Sequence, residues 1–394
     1  MRKIICICMI TLFLAPFAVF GGGGKEAAGS ADKLETWLQN SQIGKYQPEK
    51  EDWAAIEKAA KAEGTVVVYS NSSKVYEFCR SFYDKYGIKA IPNDVATGDM
   101  FEKLNRLQDS GVYDVDVVLV SNLPVLYNEF VDYQKVFKYV PREIEPLILD
   151  KYQDEPLGIY KLGGKCVIYN TEVYPNGSPI DSWWDLTRPE WNGRLIMKDP
   201  MLGGSDINLV AMFIKEADTM AKAYKAEFGE EIKLSKDVEN AGYEFIKRLL
   251  DNDMILTSGG DDVVISVGAP GQKNPPIGLT GPSKMSLKEE QTLYADIVWG
   301  LEPFDMFMSQ TALCIPAYAP NPNAAKLLIK WLYGDENGGK GYEPFFVTGT
   351  WPTRTDMKAV PGQKNLKDLK IWSEDGAWLY ANVMRLRDFW IQHM

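Results

Sequence analysis

The chain has 394 residues with 43 basic against 54 acidic side chains, a formal net charge of −11 and one histidine. It lacks the clustered basic residues that phosphate backbones require, which excludes nucleic acid as a partner. That histidine, His393, lies next to the last residue. A Ser-His or Cys-His nucleophile pair therefore has no support, and neither a Gly-x-Ser-x-Gly elbow nor a complete Gly-x-x-x-x-Gly-Lys-Ser/Thr loop occurs.

Arg2 and Lys3 precede an apolar run from Ile4 to Phe20, after which glycines take over. This is the layout of a secretory signal peptide over residues 1–21, with cleavage expected after Gly21. Cys6 and Cys8 lie too early for lipid attachment, so the mature chain is expected free in a periplasmic space. Its length suits two cores. Cys79, Cys166 and Cys314 would remain, an odd and widely spaced set that reads as buried small hydrophobes. A Cys166–Cys314 bridge stays open at this point.

A surface helix is expected over 31–43, and a second from near Pro48 to the stop at Gly64. Thr65 to Tyr69 is a short β-branched run suited to a strand buried on both faces. Ser70-Asn71-Ser72-Ser73 follows, then a helical pattern from Val75 to Tyr86. The unit recurs, with a strand over 88–91, a helix over 99–109 and a strand over 114–120 that ends in Ser121-Asn122. Such alternation predicts a mainly parallel sheet covered on both faces, with ligand beyond the carboxyl ends of its strands. Further strands are expected over 166–169, 195–197 and 277–280. Helices are expected from Gly203-Gly204-Ser205-Asp206, over 238–250, from Asn321 to Leu332, and across the last 40 residues. The pair Trp183-Trp184 reads as packing within a lobe.

Four stretches together resemble a known family. They are Ala62 to Ser70; Val167 to Thr171 with Trp184 to Gly193; Asp199-Pro200 with Gly203 to Ser205; and Ile315-Pro316 with Pro320 to Lys326. In this order they resemble the extracytoplasmic solute-binding proteins of ABC importers whose best-known members bind ferric ion. The resemblance implies an α/β, two-lobed periplasmic-binding-protein fold of type II, with a ligand cleft between lobes that close like a flytrap. The chain would cross between lobes near Lys161 and return near Thr311. Residues 31–161 and 314–345 would form one lobe, residues 162–313 the other, and residues 346–394 a helical segment packed on both. The implied partners are a small-molecule ligand and a membrane permease, with the protein a monomer and no cofactor. A ferric-binding protein and a ligand-gated sensory protein are the alternatives.

Ser70, Asn71, Ser72 and Ser73 lie where a helix N-terminus offers free N–H groups to an anion, although one of these serines is also expected as a helix cap. Lys74 could add charge. Gly204 and Ser205 repeat the arrangement in the second lobe, and Ser121 and Asn122 face the same cleft by the strand-end argument. Asp261, Thr280, Trp299 and Glu302 complete the candidate ligand contacts, the last two as an aromatic and a carboxylate beside the return crossing. Ferric-binding relatives supply adjacent tyrosines after the strand corresponding to 277–280. Here the chain reads Leu279-Thr280-Gly281-Pro282-Ser283, and no two tyrosines are adjacent anywhere. An anionic organic solute, phosphorylated or phosphonate, therefore suits the donors better than a hard metal ion.

Overall fold

A computed structural model describes residues 23–394, so the expected signal peptide lies outside the described residues. Helix α1 (Gly23–Ser41) leads to α2 (Trp53–Glu63), which begins about five residues later than expected because Asp52 caps it by accepting from the Ala55 N–H. Gly64 ends α2 at φ 78, a left-handed stop. The first unit then runs β1 (Thr65–Ser70), α3 (Val75–Tyr86), β2 (Lys89–Asp94), α4 (Thr97–Asp109), β3 (Val117–Ser121) and the short α5 (Leu123–Leu126). A two-residue β4 (Val136–Phe137) precedes β5 (Gly158–Asn170), far longer than the strand expected over 166–169.

The second unit comprises β6 (Leu195–Lys198), α6 (Ser205–Lys215), α7 (Ala217–Phe228), α8 (Ala241–Asp251), β7 (Ile255–Thr257), α9 (Gly260–Gly268), β8 (Ile277–Thr280), α10 (Leu287–Gln291) and β9 (Ala295–Ile297). Strand β10 (Met306–Pro316) returns the chain to α11 (Pro322–Tyr333), α12 (Gly339–Tyr342), β11 (Trp351–Pro352), β12 (Ile371–Ser373) and α13 (Gly376–His393). The last 40 residues are thus α-helical only from Gly376, with one 3-10 turn (Leu366–Asp368) before it. Pro361 and Gly362 interrupt the stretch before it, and the Asp375 carboxylate caps α13 by accepting from the Trp378 N–H at 3.0 Å.

The sheet path is β2-β1-β3-β10-β5-β8-β6-β7. Strands β1, β2 and β3 are parallel, as are β6, β7 and β8, while β10 and β5 pair antiparallel between the two sets. One core gathers Val66, Phe78, Leu104, Val118, Leu313 and Leu328. A second gathers Trp183, Trp184, Phe213, Phe245 and, from α13, Leu386 and Trp390. The tryptophan pair is packing, as expected. Both long strands contribute to both cores, and the six parallel strands aim their carboxyl ends at the seam.

Cys79, Cys166 and Cys314 are free and buried. The bridge left open above does not form, because Cys166 lies opposite Met306, eight residues along β10 from Cys314. That offset corresponds to roughly 26 Å of strand, far beyond disulfide reach. Burial pushes the Cys79 thiol up to about 12.

Candidate functional site

Strand ends and helix starts converge on one cleft. Asn71, Ser72 and Ser73 follow β1; Asp94 ends β2 and Thr97 opens α4; Ser121 ends β3. From the other set come Lys198 at the end of β6, Gly204 and Ser205 at the start of α6, Ser258 after β7, Asp261 in α9 and Thr280 at the end of β8. All line a cavity of about 400 Å³. Four helices of 9 to 13 residues start at its wall, so their unsatisfied N–H groups and dipoles favour negative charge there. No aromatic ring lines it among the described residues.

Eight of the twelve expected contacts meet here: Asn71, Ser72, Ser73, Ser121, Gly204, Ser205, Asp261 and Thr280. Ser70 does not; it is buried, and its Oγ accepts from the Ser72 N–H at 3.1 Å, bracing the turn instead. Asn122 sits at φ 93, and this left-handed turn carries it off the cleft wall. Trp299 and Glu302 are also elsewhere. Strand β9 pairs with β5 through Ile297 and Ile168, which leads the following turn away from the cleft. There Lys364 lies 5.1 Å over the Trp299 ring, and exposed Glu302 pairs with Lys370 at 2.7 Å.

Four lysines escaped the sequence reading: Lys161, Lys165, Lys198 and Lys284. Two have carboxylate partners, Lys165 with Asp206 at 2.5 Å and Lys284 with Asp261 at 2.8 Å. Lys161 and Lys198 have none at ion-pair distance among the described residues. Lys161 Nζ donates to Thr311 Oγ1 at 3.2 Å, and that hydroxyl lies 3.5 Å from Ser121 Oγ. Burial, and then the like charge of Lys74, pulls the Lys161 ammonium down to about 8. Burial likewise lowers Lys198, against the attraction of Asp206, while it raises the lone carboxylate Asp94. The polar wall can therefore accept hydroxyls at Asp94 and bind anionic oxygens at the lysines and helix starts.

The two sides of the cleft approach closely at two glycines. A Cβ at Gly204 (φ +76) would lie 3.4 Å from Thr97 Oγ1. One at Gly349 (φ +85) would lie 2.5 Å from the Pro282 backbone and 2.7 Å from the Ser283 nitrogen, too close to fit. Gly349→Ala is therefore expected to fold with a loss of about 1 kcal/mol from its positive φ, yet to stop the halves from meeting. Small-angle scattering should then show a radius of gyration that stays large at saturating solute. Compaction equal to that of the unmodified chain would show that this contact does not limit closure.

Two parallel half-sheets joined by two long antiparallel strands, with a polar cleft at the strand ends, define the architecture. The fold is that of a two-lobed periplasmic binding protein. The chain is similar to iron-bound HitA from Pseudomonas aeruginosa at 17% identity and a TM-score of 0.64, over 82% of this chain and 99% of that one. It is similar to AfuA from Actinobacillus pleuropneumoniae, solved with exogenous fructose-6-phosphate bound, at 19% identity and a TM-score of 0.62, covering 84% and 97%. The ferric binding protein from Campylobacter jejuni aligns at 13% identity and a TM-score of 0.57, covering 83% and 99%. No protein-family model matches the chain, and no curated protein does. At these identities the likeness establishes the binding-protein fold.

Proposed function

We propose that the protein is the extracytoplasmic binding component of an ABC importer, which captures a small, hydroxylated, anionic solute and delivers it to a membrane permease without chemical change. Residues 31–161 with 314–345 would form one lobe and residues 162–313 the other, with 346–394 packed on them. The observation that carries the reading is the pair Lys161 and Lys198, which line a cleft without a carboxylate partner. A cleft that keeps two lysines unneutralised, beside four helix starts, favours an anion over a cation or a neutral sugar. Its lack of aromatic rings disfavours a solute that must stack.

The iron-binding neighbours raise ferric ion as a second cargo, and the donor set speaks against it. Among the described residues no tyrosine or histidine lines the cleft, and Asp206 and Asp261 are already engaged by lysines. Only Asp94 remains as an anionic donor, too few for a hard trivalent ion. Periplasmic location rests on the leader read from residues 1–21 and on the binding-protein fold.

A thermal-shift series with fructose 6-phosphate, malonate, neutral fructose and ferric citrate tests the reading. An anionic solute at one hundred times its dissociation constant should stabilise the protein by about 2.7 kcal/mol, with fructose and ferric citrate far behind. Ser72→Ala and Ser205→Ala should each weaken anion binding by roughly 1 kcal/mol without unfolding the chain. Tight ferric binding that is insensitive to both substitutions would return the protein to the iron carriers.

A further inference from the structure

Lys161 shares strand β5 with Lys165 but, unlike it, has no carboxylate partner among the described residues. It stands on β5, opposite Thr311 on β10 and Pro352 on β11, where the β5–β10 register shifts. Those two long strands pair between the two half-sheets and enter both cores, so Lys161 is planted on the hinge itself. Its Nζ has Thr311 Oγ1 as its one hydrogen-bond acceptor among the described residues, and it lies 5.1 Å from the centre of the Phe345 ring. The charged group that bears on it is Lys74, of the same sign. The remaining N–H donors of Lys161 are left for water or solute.

An ammonium in this position tolerates an open cleft, where water solvates it. When the halves meet at Gly349 and Pro282 and at Gly204 and Thr97, Lys161 is half-buried on the wall of the cavity and its ammonium is less well hydrated than in an open cleft. An ammonium desolvated without a counter-charge is costly, and one covered by an anion is not. Lys165 and Lys284 do not impose this condition, since each carries its own carboxylate.

We propose that Lys161 makes lobe closure conditional on a negative solute group bound at the hinge: an anion over the ammonium lets the lobes meet, and without one the ammonium holds the cleft open. Discrimination then operates at closure as well as at binding. A neutral solute of the right size can enter but is not enclosed. This inference rests on the reading of the cleft as an anion site, and one arm of its test needs no solute at all.

Small-angle scattering on the full mature protein, dialysed free of polyvalent anions, compares the unmodified chain with Lys161→Met, Lys161→Gln and Lys161→Arg. The reference for closure is the radius of gyration calculated from the arrangement in which Gly204 meets Thr97 and Gly349 meets Pro282. Without solute, the unmodified chain and Lys161→Arg should stay open. Lys161→Met and Lys161→Gln should cover at least half of the distance to the closed value. Circular dichroism identifies any variant that fails to fold, and the second neutral substitution then carries the test. An unmodified chain already compact without solute, or a folded neutral variant as open as the unmodified one, overturns the proposal. If the neutral variants close but neither malonate nor fructose 6-phosphate stabilises the unmodified chain, the solute reading falls and the hinge lysine stands.

Discussion

Replacing Glu374 by glutamine is expected to stabilise the protein in alkaline solution by about 3 kcal/mol relative to its effect in acid. The Glu374 carboxyl lies between β12 and α13. Its Oε1 accepts from Asn208 Nδ2 of α6 at 2.9 Å, and the Gln310 backbone of β10 also bonds the group. Oε2 is buried with no partner, and no basic side chain pairs with the carboxyl among the described residues. Burial raises its pKa to about 7, and the Asn208 and Gln310 bonds only partly oppose that. The folded pKa exceeds the unfolded one, so the folded state holds the proton more tightly. Stability is then fully present below about pH 4.5 and declines as pH rises to about 7, after which the loss is complete. A difference of roughly 2.5 pH units corresponds to about 3 kcal/mol. Glutamine cannot ionise, so the difference in unfolding free energy between variant and parent should grow in the variant's favour from about pH 4 to about pH 9. Taking a difference between two pH values cancels any fixed penalty for the amide. Denaturant unfolding at several pH values measures it, and a constant difference would mean that Glu374 reaches solvent in the folded state.

Much of the binding-protein fold was legible because buried parallel strands announce themselves. Thr65 to Tyr69 and Ile277 to Thr280 are short apolar runs with polar residues immediately after, and the structure extends or matches them with little change. The strand-end rule pointed to Ser72 and Ser121, and the glycine-rich helix start to Ser205, all of which line the cleft. It failed for Asn122, where a left-handed backbone turns the chain away, a conformation that one asparagine does not declare. It also missed Ser258, because β7 has only three residues, of which Ile255 is exposed, and so carries almost no hydrophobic signal.

The hinge was harder to read. Strand β5 contains Gly163 and Gly164, which interrupt its hydrophobic run, so only its last residues looked like a strand. Gly164 is there because a Cβ would lie 2.2 Å from the Phe307 carbonyl oxygen on β10, a constraint set some 140 residues away. Lys161 and Lys165 flank this glycine pair, and a lone lysine in sequence is most often a solvated one. Their importance depends on which carboxylates lie near them in space. Asp206 neutralises Lys165, no carboxylate among the described residues pairs with Lys161, and no local pattern encodes that difference. Trp299 and Glu302 fail in the opposite direction, being close to the return crossing in sequence but carried off the cleft by β9.

The hinge lysine yields a final expectation, in which alkaline solution does the work of a solute. In the closed arrangement burial and Lys74 bring Lys161 down to about 8. In an open, solvated cleft it should return toward the ordinary lysine value of about 10.4. The open state thus binds the proton more tightly, and raising the pH favours the state that has released it. Below about pH 8 both states keep the proton and the closing equilibrium is flat. Above it, closing without solute should improve by up to about tenfold per pH unit, until the open state also titrates near pH 10. Lys74 and Lys198 are lowered by burial as well, so their titration acts in the same direction. Scattering on the solute-free protein from about pH 7 to about pH 10 should therefore show progressive compaction. Arginine keeps its charge throughout this range, so Lys161→Arg should compact less than the unmodified chain, by no more than Lys74 and Lys198 contribute, while Lys161→Met should start compact and change little. If Lys161→Arg compacts along the same curve as the unmodified chain, the titrating group is another one, and the charge on the hinge does not control the lobes.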